Sequence, residues 1–146
     1  MDHDRYDDSY LRGILQSVRA IAVVGASPNP ERPSNEVLGF LGRQGYRIFP
    51  INPGNAGGEI HGHRVYATLA DVPEPVDMVD VFRNSDAAAA VVDEALRLSP
   101  LPKAIWMQLG VRNDAAAARA EAAGVRVVMN RCPKIEIARL GLSRRV

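Results

Sequence analysis

The chain has 146 residues, 47% hydrophobic and 24% charged, with a formal net charge of +1. At roughly 150 residues per domain this predicts a single domain over 1–146, with room for a core burying roughly 68–70% of the unfolded surface and none for a second catalytic domain. A near-zero charge argues against nucleic acid or a membrane surface as partner, and the single cysteine, Cys132, excludes an intrachain disulfide and an all-cysteine zinc site. No apolar run approaches the ~18 residues of a membrane span, and the polar start MDHDRYDD does not resemble a signal peptide. The expectation is a soluble cytoplasmic domain. Its basic residues are sixteen arginines and two lysines.

Residues 1–8 read as a loose arm. Leu11, Ile14, Leu15 and Val18 then recur at helical spacing, with Asp8 or Ser9 as the cap. Residues 20–26 are continuously apolar, as in a parallel strand buried on both faces. A polar turn leads to Pro33, which suits the first position of a helix; Val37, Leu38 and Leu41 give that helix a core face, and Gly45 ends it. Tyr46–Ile51 is the second strand, stopped by Asn52-Pro53. The Gly-Asn-Ala-Gly-Gly run at 54–58 is an exposed loop, followed by a short edge strand near Arg64–Ala67. Val76–Phe82 is a further strand, Ser85 caps a helix to about Leu98, and Ala104–Leu109 is the next strand. Asn113 or Asp114 caps a helix to Gly124, Val125–Met129 is the last strand, and Ile135–Leu140 a short terminal helix.

Strands alternating with helices predict an α/β sandwich. Its sheet is mostly parallel and five-stranded, in the order 3-2-1-4-5, with helices on both faces. Ligands of such folds bind at the carboxyl ends of the strands, where strand order reverses. That directs attention to Gly25–Ser34, Asn52–Pro53, Phe82–Ser85 and Gln108–Asn113. The first of these combines a glycine at the strand end, which admits close approach to the backbone, with a helix N-terminus, two serines, Ser27 and Ser34, and Arg32, a charged fork. This chemistry suits a diphosphate. It is not the dinucleotide fingerprint G-x-G-x-x-G: Ser27 stands at the second glycine position, and the second strand ends without the acid that would hold the ribose of NAD. Arg83 is a second candidate phosphate partner, Phe82 a surface for a flat ring. Gln108 and Gly110 are candidate lining, while Trp106 reads as core.

Ile21–Ser27, Arg32-Pro33-Ser34, Asn52-Pro53, Val79–Arg83, Trp106–Gly110 and Val128–Cys132 together resemble the stand-alone CoA-binding proteins. These are related to the N-terminal CoA-binding domain of the succinyl-CoA synthetase alpha subunit. The resemblance runs from about Arg19 to Leu140. It implies a Rossmann-like domain holding coenzyme A, or an acyl-CoA, through its ADP part. Gly25, Ala26, Ser27, Arg32, Pro33 and Ser34 would then meet the phosphates. Asn52 and Pro53 would border the adenosine, and Phe82, Arg83, Gln108 and Gly110 would line the rest. The 3′-phosphate of CoA would favour arginines where NAD-binding proteins carry an acid. The ligase relatives need a phosphorylatable histidine. His3, His61 and His63 lie on no matching motif, so the resemblance carries binding and not ligase chemistry.

Two other classes stay open. One is a nucleotide-dependent enzyme, either of NAD(P) type or an acyl-CoA enzyme using Cys132. The other is a scaffold with a vestigial pocket. Glu59, His61 and His63 would share one face of a strand, a conceivable but incomplete metal set. Asp80 reads as an anchor for backbone N–H groups of a rim loop.

Overall fold

In the computed structural model, which describes residues 1–144, five parallel strands make one sheet. They are β1 (Ala20–Val24), β2 (Arg47–Ile51), β5 (Met78–Val81), β6 (Ala104–Met107) and β7 (Arg126–Val128), and a small antiparallel hairpin, β3 (Glu59–Ile60) and β4 (His63–Arg64), stands apart. Every residue of β1, β5 and β6 is buried, which is why these segments read as unbroken apolar runs. Alternate side chains serve the two faces. Ala22, Val24, Val79, Val81, Ile105 and Met107 pack under α3 (Ser85–Ala95) and α4 (Asp114–Ala122). Ile21, Val23, Met78 and Trp106 pack under α1 (Asp8–Ser17), α2 (Pro33–Arg43) and α5 (Pro133–Arg139). The result is the expected three-layer α/β sandwich. Among the described residues no helix is long and apolar enough to cross a membrane.

The strand order is β2-β1-β5-β6-β7, so the five strands run 2-1-3-4-5 and not 3-2-1-4-5. The segment expected at the third position does lie beside β2, but it is not a strand of the sheet. Only Tyr66 pairs there, in a parallel bridge with Ile51. Its neighbour Val65 bonds instead to Gly57 and Gly58, at 2.9 Å each, which ties this stretch to its own hairpin. The turn at His61-Gly62 also separates Glu59 and His63 onto different strands, so the one-face arrangement with His61 does not form. His61 Nε2 instead meets Asn35 Oδ1 at 2.7 Å, fastening the hairpin to the first turn of α2.

Residues 1–8 do not form the loose arm expected: Asp8 already opens α1 and pairs with Arg139, and the residues before it are tied to the body. Tyr6 Oη accepts from the Met129 N–H at 2.8 Å, His3 bridges Tyr6 and Glu121, and Tyr6 stacks on Tyr10. Met129 and Glu121 lie more than a hundred residues away in the chain, beyond the reach of local patterning. The caps differ as well. Asn84, not Ser85, caps α3 by accepting from the Ala87 N–H at 2.7 Å. Asn113 caps α4, and Asp7 stands at the start of α1 without a side-chain cap bond.

Candidate functional site

Strand order reverses between β1 and β5, because the chain leaves β1 toward β2 and then crosses back to the far side. The carboxyl ends of these two strands are the switch point where this fold class opens a crevice. Val24 is in register with Val81, and the Phe82 N–H continues the ladder to the Val24 carbonyl at 2.9 Å. Gly25, at φ +84°, turns the chain away directly above. A Cβ on Gly25 would sit 3.0 Å from the Phe82 carbonyl carbon and closer still to its oxygen. The glycine therefore lets two rim loops touch, a role beyond the close approach to the backbone that the sequence suggested. The N–H groups of Gly25 and Ala26 both go to the Ile51 carbonyl, at 3.1 and 3.3 Å, and are not free for a phosphate.

A cleft of about 580 Å3 opens beside this contact. It gathers Gly25, Ala26, Ser27, Arg32 and Ser34 from the first rim loop, Asn52 and Pro53 from the second, and Phe82 and Arg83 from the third. The far wall is one face of α3, namely Ala87, Ala90, Val91 and Glu94, with Ala67 beside it. Sequence reasoning missed this wall. Asn52 is a clamp: its amide donates to the Ala26 carbonyl at 2.8 Å and its Oδ1 accepts from the Gly54 N–H at 2.9 Å. Asn35 likewise donates to the Ser27 carbonyl at 3.0 Å, holding the loop that Ser27 begins.

The donors left over face the cleft. Arg32 occupies the N-cap of α2 without a capping bond, and Pro33 follows. Among the described residues the Ser34 N–H has no protein partner, as expected of a first-turn donor. Arg32 and Arg83 are exposed. Neither has a carboxylate partner among the described residues, unlike Arg47, Arg112, Arg119 and Arg139. Two free guanidinium groups and an uncapped helix start are chemistry that suits an anion of more than one charge. Glu94, the acid in the wall, accepts from the Leu69 N–H at 2.8 Å.

A second cleft, of about 660 Å3, lies on the other side of Phe82 and Arg83, which line both. Pro33, Val37, Val111, Leu109, Ile135 and Cys132 give it an aliphatic lining. Gln108 is here and not in the first cleft. With its amide nitrogen turned to Asp80 it donates to both carboxylate oxygens, at 3.0 and 3.3 Å. Asp80 is fully buried, and burial pushes its carboxyl well above the ordinary range. It faces Gln108 and anchors no rim loop; the backbone anchor is Asp77, which accepts from the N–H groups of Arg19 and Ala20 at the opposite end of the sheet. Gly110 lines neither cleft. It turns at φ +80° with its N–H on Asn130 Oδ1 at 2.7 Å. Trp106 is wholly buried and donates to the Arg131 carbonyl, as expected of core.

Residues 19–138 match the family model of the CoA binding domain. The chain is 34% identical over 125 residues to the uncharacterized protein YneT of Bacillus subtilis, covering 86% of this chain and 90% of that one. It resembles the solved structure of cell-free ID.343 from Thermus thermophilus at 39% identity and TM-score 0.86, over 92% of this chain and 99% of that one. It also resembles the dinucleotide forming acetyl-coenzyme A synthetase 1 of Ca. Korarchaeum cryptofilum, solved with phosphate and ADP. There the identity is 26% and the TM-score 0.59, over 74% of this chain and 25% of the synthetase.

Proposed function

The chain belongs to the CoA-binding domain family, and on that premise we propose that it holds coenzyme A by the adenosine-diphosphate half in the first cleft, at the carboxyl ends of β1 and β5. The observation that carries this reading is the meeting of Arg32, Arg83 and the uncapped start of α2 around one crevice at the switch point. Ser27, Ser34 and Arg32 take the diphosphate. Arg83 sits where the cleft continues past Phe82. Ala87 and Ala90, small residues three apart on α3, let a flat ring approach that helix closely. The end of β2 supports coenzyme A over NAD: Ile51-Asn52-Pro53 offers no carboxylate to a ribose, and the Asn52 side chain is already engaged on both sides.

The reading is one of binding without a chemical step. The ionisable groups lining the first cleft are Arg32, Arg83 and Glu94, and Glu94 is held on backbone. Among the described residues no acid–base pair lines this cleft. His61 is engaged with the α2 turn and His3 with Glu121, away from the crevice.

A thermal-shift series with CoA, acetyl-CoA, dephospho-CoA, NAD, NADP and ATP tests the proposal. At a hundred times its Kd a ligand adds about 2.7 kcal/mol, on the order of 5–10 °C for a chain of this size. CoA should raise the midpoint with concentration and NAD should not. Stabilisation by NAD with none by CoA would overturn it.

A further inference from the structure

The second cleft is the less explained feature of the rim. Among the described residues, solvent-exposed large aliphatic side chains are few, and two of them, Leu109 (58% exposed) and Ile135 (51%), flank the same cleft. Pro33, Val37 and Val111 continue the apolar wall between them. Isolated exposed aliphatics need no explanation, whereas a concave cluster of them marks a binding surface. The polar groups nearby are engaged elsewhere. Gln108 faces Asp80, and Glu36 and Lys134 pair with each other at the rim. Asn84 is engaged through its Oδ1 at the cap of α3; apart from the Arg83 guanidinium shared with the first cleft, the rest of the lining is aliphatic side chains and the Cys132 thiol.

The two clefts adjoin, with Phe82 and Arg83 as their shared wall. One is polar, with free cationic groups; the next is aliphatic. A ligand that spans both must carry anionic groups at one end and an apolar group at the other. We infer that the second cleft receives the acyl chain of a coenzyme A thioester, so that the chain's preferred ligand is an acyl-CoA with an aliphatic acyl group and not free coenzyme A. This rests on the coenzyme A reading above. The thioester end passes over Phe82, and the acyl carbons lie between Leu109 and Ile135.

Each methylene buried in such a cleft tightens binding roughly 3- to 4-fold. Calorimetric titration with CoA and its acetyl, butanoyl, hexanoyl and octanoyl thioesters should show Kd falling by about that factor per methylene until the cleft is filled. Ile135→Ser and Leu109→Ser change exposed positions and leave the core intact. Each should flatten the series while leaving the Kd of free CoA within about twofold. Equal affinity for CoA and all its thioesters would overturn the inference and leave the coenzyme A reading standing. Failure of every member to bind would overturn both. A wild type that dimerises in sedimentation, with either serine variant monomeric, would assign the cleft to a second copy of the chain and overturn the acyl assignment. An unchanged length dependence in both variants would do the same.

Discussion

Replacing Gly25 with alanine tests whether contact between the two rim loops sets the site. The residue lies at φ +84°, where an L side chain costs about 1–2 kcal/mol. The new Cβ would also stand 3.0 Å from the Phe82 carbonyl carbon, and this obstacle is backbone at the end of a buried strand, which cannot turn aside. Overpacking of this kind adds typically about 1–3 kcal/mol. A total near 3 kcal/mol corresponds to a Tm lower by about 6–12 °C at this chain length. Gly124→Ala is the matched control: φ is +89°, but a Cβ there meets nothing within 4 Å, so only the conformational cost of about 1–2 kcal/mol applies. Urea unfolding of both variants, with a CoA titration of each, separates the two effects. The Gly25 variant should lose more stability than the control and bind CoA at least tenfold more weakly, and the control should bind normally. Equal losses of stability in the two, or normal CoA binding by Gly25→Ala, would refute the reasoning.

Arg32→Ala and Arg83→Ala remove exposed, unpaired groups. Each should leave the urea midpoint within about 0.5 kcal/mol of wild type while weakening CoA by about tenfold or more, the worth of a charge-assisted hydrogen bond; unchanged Kd in both would remove them from the site. Asp80→Asn should change the pH dependence of stability. The native carboxyl is raised above its ordinary value, so its favourable contribution is present below the unfolded pKa of about 3.9 and is lost as pH rises through the folded value. The variant should therefore be more stable than wild type at pH 8, with the difference shrinking toward pH 4. A difference constant across urea midpoints at pH 4, 6 and 8 would contradict this. Tyr6→Phe strands the Met129 N–H and should cost about 1–3 kcal/mol; a neutral effect in the same assay would mean that the N-terminal segment is not holding β7.

The strands that position the site were legible because burial on both faces leaves an apolar run with no alternation, as in Ala20–Val24 and Met78–Val81. The first and third rim loops were legible for a related reason: the fold class directs attention to strand ends, where Arg32 and Ser34 stand on one and Arg83 on the other. The α3 wall was not, because Ala87 and Ala90 sit in an alanine run that helix propensity alone explains. The small pair three residues apart, immediately after a rim loop, was the signal available. The second cleft was hidden by distance along the chain, its lining coming from 33–37, 82–84, 108–111 and 132–135. Gly25 stands at the strand end where the sequence puts it, and the Phe82 backbone beside it is a further reason for glycine. A positive φ can be anticipated from glycine after a strand, but the Phe82 carbonyl beside it comes from a segment more than fifty residues away, and its distance from Gly25 is set by the register of β1 against β5, which the sequence does not display.

A crystal structure of the chain with coenzyme A bound tests the central claim most directly, since the opposite end of the sheet offers a rival crevice of about 370 Å3 with Arg19, Arg47 and Arg144 in its lining. The diphosphate should lie against Ser27, Arg32 and Ser34, with the adenosine between Asn52-Pro53 and the Ala87–Ala90 face of α3. Coenzyme A lodged among Arg19, Arg47 and Arg144 instead would contradict it.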